Sequence, residues 1–359
     1  MKEYFSDSYE DSRKKFLSAV KSLEVDSICL RDDLFIDFAF KEDGKKKILF
    51  LVSGTHGVEG YLGSAAQLIF IKEFLPKLKG VSVCLVHGLN PFGFKHNRRV
   101  NENNVDLNRN SVYDERLMLG IPNSFFSNVW SDSLLFLKLN RPRKHRLLEV
   151  ASYYSLVFKT VIRSGIKNTI NVGMNGQSSY PRSVGFKGVK LEDSLLHLRS
   201  FIEEKTQGYE EAFFIDFHSG IGKKYDVIGF TSKKSDSQEF SFIKALLPKL
   251  RSRDNTSFVN HSGSVSDLFL ARSHASKNID LIFEYGTVPL LSSRLVLDYL
   301  AKLNIEENQV FFFGSDKARI RISKRLKNAY SPDDITFRKS LIRKTSVFFN
   351  ELIKNWCEK

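Results

Sequence analysis

His56, Gly57, Val58 and Glu59 follow closely on the apolar run Ile48–Val52. A His and a Glu three residues apart, just past the end of a buried strand, can both turn toward one metal ion. The run is too short for a helix and reads as a central strand, with Ser53-Gly54 closing it as a turn. His56 is thereby placed at the C-terminal edge of a sheet, where α/β proteins keep their sites. Three later segments add to this signal. Asn90-Pro91-Phe92-Gly93-Phe94 follows a second apolar strand, Val81–Val86, and leads to Arg98-Arg99 and to Val105-Asp106-Leu107-Asn108-Arg109-Asn110. Phe213–Phe217 reads as a strand that ends in His218 before the small residues Ser219-Gly220. Leu281-Ile282-Phe283 delivers Glu284 in the same way. A catalytic zinc takes three protein ligands of nitrogen and carboxylate type and keeps one position for water. His56, Glu59 and His218 make up such a His₂Glu set. Amide hydrolysis needs a further carboxylate to move the water proton, and a cation for the negative charge that develops on the carbonyl oxygen.

In this order, H-x-x-E, N-P-x-G with a downstream Arg, V-D-L-N-R-N, D-F-H-S-G and a strand-borne Glu resemble the zinc carboxypeptidase superfamily. The resemblance runs from about residue 47 to residue 290. It is strongest to the bacterial branch known as domain of unknown function 2817, through R-R-V-N-E-N-N-V-D-L-N-R-N, E-Y-G-T-V-P and the Pro181–Gly188 stretch. The resemblance implies one zinc ion per chain on His56, Glu59 and His218. It makes Glu284 the general base, a role that also suits a carboxylate whose burial in an apolar strand raises its pKa. Arg99, nine residues before Asn108, matches the transition-state arginine of compact bacterial relatives, with Arg98 as runner-up. Asn108 and Arg109 match the pair that grips a substrate's terminal carboxylate, for which an arginine fork offers two parallel bonds. Asp106 matches the acceptor for the outer ring nitrogen of the first zinc histidine. Asp216 shares the strand face of His218, either as a similar acceptor or as a plain strand-end acid. No catalytic tyrosine carries over: Tyr225 lies too close to His218, and Tyr285 points to the opposite strand face from Glu284. His87 reads as structural, and the remaining histidines as surface or loop residues.

The elements that must hold these residues read as α/β. Alternating strands and helices predict a mixed, mostly parallel central sheet with helices on both faces. A first helix is expected over about Ser12–Leu23, a strand over Leu34–Phe40, and helical spacing over Ser64–Leu78 with Pro76 near its end. A strand and a closing helix, about Ile335–Asn355, should complete the chain. The motifs run through one domain, 1–359, with an insertion at about 112–199 that is partly helical over Leu147–Ile162. An excursion of that length between the binding loop and the third ligand is expected over the cleft.

Of the 359 residues, 42% are hydrophobic and 31 are Phe, ample for a sizeable core. No run of 18 apolar residues exists, which excludes a helical membrane span. Met1–Lys15 lacks the apolar centre of a signal peptide, and Cys29, Cys84 and Cys357 read as reduced thiols; both predict a cytoplasmic protein. The net charge of +14 concentrates at Arg141–Arg146 and Lys317–Lys327. It supports a rival, non-catalytic reading in which the basic surface binds nucleic acid or anionic headgroups, although no nucleic-acid signature accompanies it. Zinc-dependent cleavage of an amide bond near a free carboxylate is the leading expectation, on a peptide in the manner of a carboxypeptidase. Deacylation of an N-acyl amino acid on the same scaffold is the nearest alternative.

Overall fold

A computed structural model describes residues 1–111, 162, 176, 178, 181–253, 263–290 and 292–358. Eight strands form one sheet: β1 (Glu24–Arg31), β2 (Leu34–Lys41), β3 (Lys47–Ser53), β4 (Val81–His87), β5 (Glu211–Lys223), β6 (Val227–Thr231), β7 (Leu250–Ser252) and β8 (Lys277–Val288). Their order is β1-β2-β4-β3-β5-β8-β6-β7. Four of the seven pairings are parallel, including the central run β4-β3-β5-β8. Every residue of β3 and β4 is buried, as expected of parallel strands covered on both faces. This is the mixed, mostly parallel α/β sheet that the alternation of elements predicts.

Side-chain alternation along the strands splits the core in two. Leu49, Leu51, Phe213, Ile215, Leu281 and Phe283 face one layer, made by α1 (Tyr9–Ala19), α2 (Gly60–Ile69) and the C-terminal helix. Ile48, Phe50, Val52 and Phe214 face the other, covered by two helices that follow the binding loop: α5 (Asp193–Lys205) and α7 (Val265–Arg272). Between these lie the short α3 (Pro91–His96) and α4 (Leu107–Asn110), and α6 (Gln238–Leu246). The chain closes with α8 (Ser293–Phe313), α9 (Asp316–Tyr330) and α10 (Ile335–Leu352).

Several expectations need correction. The last fifty residues hold no strand among those described; α9 stands before the closing helix. Its buried residues Ile322, Leu326 and Ala329 recur at helical spacing, and the Ser315 side chain accepts from the Ala318 N–H to cap it. The strands carrying His218 and Glu284 do not end there. His218 pairs with Glu284, and Gly220 with Gly286, before a bulge leads to Lys223 and Val288. Gly220 and Gly222, at φ of 123° and 111°, permit that irregularity. The helical stretch from Ser64 runs only to Ile69 before loosening into a wider turn over Phe70–Phe74 and a tight one over Leu75–Lys77. The first helix begins three residues earlier than expected. The helix expected over Leu147–Ile162 lies, but for Ile162, outside the described residues, as does most of the insertion. Among the described residues no helix is long and apolar enough to cross a membrane.

His87 ends β4 opposite Asp37 of β2 and is fully buried. Its Nε2 meets the hydroxyls of Ser12 and Ser64, each at 3.2 Å, and Phe16 stacks on the ring at 4.6 Å. Asp37 accepts from Arg13 through Nε at 2.9 Å and Nη2 at 3.0 Å, and from Ser27 Oγ at 2.6 Å. Burial opposes its charge, but His87, whose Nδ1 lies 3.8 Å away, and the hydrogen bonds from Arg13 and Ser27 hold its carboxyl below the ordinary range. The network ties α1, α2, β2 and β4 together and keeps His87 neutral, because burial pushes the imidazole pKa down. A group whose folded pKa is depressed contributes stability above its unfolded pKa and loses it as pH falls through the folded value. Asp37→Asn should therefore lower stability at pH 7 by about 3 kcal/mol. In urea unfolding across pH, that difference should shrink once pH drops below about 4.

Candidate metal centre

The turn after β3 is shaped by two close approaches. Gly54, at φ +77°, lies so near Gly88 that a Cβ would sit 3.1 Å from its Cα. A Cβ on Gly57 would lie 2.1 Å from the carbonyl carbon of Gly93. Only glycine lets the ligand turn rest on α3, whose start is capped by the Asn90 side chain accepting from the Gly93 N–H. The carbonyls of Arg98 and Arg99 then accept the N–H groups of Val58 and Gly57, at 2.8 Å and 3.2 Å. The N-P-F-G segment is thus a buttress that joins the ligand turn to the arginine pair.

Three buried side chains converge at the strand edge. His218 Nδ1 lies 3.1 Å from His56 Nδ1 and 3.0 Å from Glu59 Oε2, and His56 Nδ1 lies 2.9 Å from Glu59 Oε1. One ligand atom from each falls within 4.8 Å of the others. The outer nitrogens are both occupied: His56 Nε2 meets Asp106 Oδ1 at 3.2 Å, and His218 Nε2 meets Asp216 Oδ2 at 2.7 Å. Asp216 is held in turn by the Thr55 hydroxyl at 2.9 Å. With each Nε2–H given to a carboxylate, both Nδ1 lone pairs point inward at the Glu59 oxygens. Such lone pairs repel one another unless a cation sits among them. Donors on a tetrahedral ion with bonds of 2.0–2.1 Å stand about 3.3 Å apart, close to the separations found. The residues present fit a divalent metal.

Around this cluster the charges are ordered. Burial opposes the Glu59 charge, yet the two histidines hold its carboxyl well below the ordinary range. Arg99 sends Nε to Asp106 Oδ2 at 3.2 Å and Nη1 to Glu59 Oε1 at 3.3 Å; despite burial, Asp106, Tyr330 and Glu59 raise its pKa. Arg98 faces elsewhere, with Nε on Glu307 Oε1 at 2.6 Å and its side chain only 2% exposed. Glu284 is pushed up to about 8, first by burial and then by the charge of Glu59, although the Ile221 N–H donates to it at 2.7 Å. Tyr285 points to the opposite face, where its hydroxyl meets Thr345 Oγ1 at 2.7 Å.

Asn108 Oδ1 accepts from the Val265 N–H at 3.0 Å, which fixes the amide orientation and turns Nδ2 away from that bond. Arg109 donates from Nη1 to the Asn108 carbonyl at 2.6 Å. Its pKa falls to about 10, mainly through burial, with Arg99 and Arg253 pushing the same way and Asp106 opposing. The described end of the insertion borders this loop: the Phe186 carbonyl accepts from Asp106 N–H at 2.8 Å, and the Lys187 carbonyl from Asn110 Nδ2 at 2.7 Å.

A family model described as "Protein of unknown function (DUF2817)" matches residues 5–344. The chain belongs to this family. Comparison with curated proteins finds no match. Among solved structures, the chain is similar to carboxypeptidase A from Helicoverpa armigera, at 14% identity and TM-score 0.48 over 91% of this chain and 75% of that one. It is similar to thrombin-activatable fibrinolysis inhibitor, at 12% identity and TM-score 0.48 over 98% and 76%. The bovine form of that protein, in complex with tick carboxypeptidase inhibitor, gives 13% and 0.47 over 98% and 99%.

In this DUF2817 member the structure brings His56, Glu59, His218, Asp106, Asp216 and Arg99 into one hydrogen-bonded cluster and sets Glu284 across β5 from it. Sequence reasoning missed two neighbours. Tyr330, at the end of α9, has its hydroxyl pKa raised to about 12, mainly by burial, with Arg99 and Glu59 acting on it in opposite senses. Glu307 of α8 is the partner of Arg98. Neither lies in a motif, and only their helical spacing toward buried neighbours hinted at an inward face. Replacing Gly57 by Ala should cost about 3 kcal/mol, read in chemical denaturation, and should lower bound metal in the same preparation. An unchanged midpoint would show that the turn can move off α3 freely.

Proposed function

We propose that this protein is a zinc-dependent hydrolase that cleaves an amide bond next to a free carboxylate, as a carboxypeptidase does. The observation that carries the reading is the pair of imidazole Nδ1 atoms and the Glu59 carboxylate, 2.9–3.1 Å apart and out of water, with a separate high-pKa carboxyl at Glu284. Two nitrogens and one carboxylate are the donor set of catalytic zinc, and three protein ligands leave a position for water. When bound, zinc lowers the pKa of water and polarises the substrate carbonyl.

The rest of the chemistry falls to the chain's own residues. Glu284, unprotonated, takes the proton of the attacking water and passes it to the leaving nitrogen as the C–N bond breaks. Its burial suits both halves of that task, since a pKa near the working pH lets one group accept and then donate. Arg99 neutralises the negative charge on the former carbonyl oxygen, and its ties to Glu59 and Asp106 hold the guanidinium ready. Asp106 and Asp216 fix the tautomers of His56 and His218. Arg109 and Asn108 grip the substrate's free carboxylate. An arginine whose charge is disfavoured by burial and by two neighbouring cations gains from an incoming anion.

The first test is metal content. Purified protein supplied with zinc should hold about one ion per chain, and the His56→Ala/His218→Ala double variant almost none. Peptides and N-acyl amino acids then separate the two hydrolytic readings. Cleavage of peptides from the C-terminus supports the peptidase, cleavage of acyl amino acids alone supports the deacylase, and chelation should abolish either. Glu284→Gln should keep the metal and lose about 10²-fold or more in kcat. In the metal-free protein the Glu284 carboxyl titrates at about 8. The ion's positive charge lowers that value, so kcat/KM of the zinc enzyme should fall on the acid side at a pH below about 8, where Glu284 takes up its proton. Failure to bind zinc at neutral pH would end this reading and leave the basic face of α9, with Lys317, Arg319, Arg321 and Lys324 exposed, as the feature to probe with nucleic acid.

A further inference from the structure

Asn304, Glu307, Asn308 and Phe311 recur at spacings of one, three and four along α8 and share one side of the helix. The inward stripe of a helix on a globular protein is ordinarily apolar. Here three of the four are polar, and each reaches a segment that borders the ligand cluster. Asn304 Nδ2 donates to the Tyr330 hydroxyl at 2.6 Å. Glu307 accepts from Arg98 Nε at 2.6 Å and from its Nη2 at 3.5 Å. Asn308 Nδ2 donates to the Arg182 carbonyl at 2.8 Å. Phe311 lies 3.5 Å under the Arg98 guanidinium.

Arg98 and Tyr330 flank Arg99 from two directions. Arg98 precedes it in the chain, and the carbonyls of both arginines carry the ligand turn through Val58 and Gly57. Arg98 leaves the backbone toward α8 while Arg99 leaves it toward Asp106 and Glu59. Anchoring Arg98 therefore sets the backbone from which Arg99 reaches. Tyr330 comes from the other side. Its ring lies against Gly220, where an added Cβ would stand 2.9 Å from the ring edge. Its carbonyl accepts from Ser219 Oγ at 2.8 Å and its hydroxyl from Asn304 Nδ2, within electrostatic reach of Arg99. A buried ion pair such as Arg98–Glu307 is a poor way to gain stability, since apolar residues of similar size commonly serve better.

We infer that Asn304 and Glu307 of α8 are positioning residues for Arg99, acting through Tyr330 and Arg98. The α8–α9 pair is then part of the reaction apparatus and not a cover upon it. The role in turnover rests on the reading of Arg99 given above; the placement of its guanidinium does not, and the two are tested separately.

The first measurement needs no activity. In nitrogen-15 spectra of the zinc-supplied protein, the Nε–H signal of Arg99 is assigned by its loss in Arg99→Lys. Glu307→Gln and Tyr330→Phe should each shift that signal and speed its exchange with solvent several-fold, with bound metal unchanged. Tyr330→Phe keeps the ring on Gly220, so it carries the test if Glu307→Gln does not fold. The second measurement is a double-mutant cycle in kcat. Glu307→Gln should lower kcat about tenfold with KM nearly unchanged, and should cost nothing further in the Arg99→Ala background. An Arg99 signal unmoved in both variants would overturn the inference, as would losses from Glu307→Gln and Arg99→Ala that multiply. If no amide substrate is turned over, the hydrolase reading falls while the Arg99 signal still decides this one.

Discussion

Two imidazole nitrogens and a carboxylate are held about 3 Å apart and out of water, an arrangement that favours positive charge among them, and the sheet is what holds them there. His218 comes from a strand and Glu59 and His56 from the turn after its parallel neighbour, so the distance between β3 and β5 sets the distance between ligands. The Ser219 N–H donates to Glu59 Oε2 at 2.9 Å, pinning the carboxylate to the third ligand's own backbone. Asp106 and Asp216 close the outer side of each ring. The flexible part of the centre is therefore small: once the strands pair in register, the ligand side chains have few other places to go.

The turn itself is the less rigid member, and three devices hold it. Gly57 rests on Gly93, the carbonyls of Arg98 and Arg99 take two of its N–H groups, and Asn90 both caps α3 and donates to the Arg99 carbonyl at 3.2 Å. The same backbone that supports the ligands thus carries the cation beside them. A shift of the N-P-F-G buttress would move ligand and arginine together, which keeps their separation constant even where the absolute position varies. Charge acts in the same direction. Glu59 draws on Arg99 and both histidines, while Glu284, without a comparable cationic partner, is driven toward its neutral form. Two carboxylates a strand apart are thus set to titrate in different ranges, Glu59 staying ionised while Glu284 titrates at about 8.

The sequence made the sheet side of this site legible because each of three apolar runs leads into a His or Glu at or just past its end. Ile48–Val52, Phe213–Phe217 and Leu281–Phe283 lead in turn to His56, His218 and Glu284. It could not tell Arg98 from Arg99, since adjacent identical residues differ only in where a folded backbone aims them. It placed turns at Ser219-Gly220 and after Glu284, where the strands continue, because small residues that signal a turn also permit a bulge. The exposed edge strand β1 has no apolar run to betray it. Tyr330 and Glu307 escaped for a further reason. Tyr330 ends a helix whose Lys and Arg dominate its pattern, and the Asn and Glu side of α8 that carries Glu307 looks no different in sequence from solvated surface.

The buried polar groups of α1 and α2 serve the strands and each other, whereas those of α8 reach Arg98 and Tyr330. α2, α5, α7 and α10 cover the sheet with Leu, Ile, Phe and Ala and would serve any α/β domain. The α8–α9 pair packs its own apolar cluster, Val296, Leu300, Leu303, Ile322 and Leu326, with Val58 of the ligand turn included. An apolar contact runs from this pair to the turn through Val58, and polar ones run to Arg98 from Glu307 and to Ser219 from the Tyr330 carbonyl. A helix pair joined to a ligand turn by burial, and to its arginine by hydrogen bonds, transmits its position to the site. The geometry around the metal centre depends on the C-terminal helices as much as on the sheet that supplies its ligands.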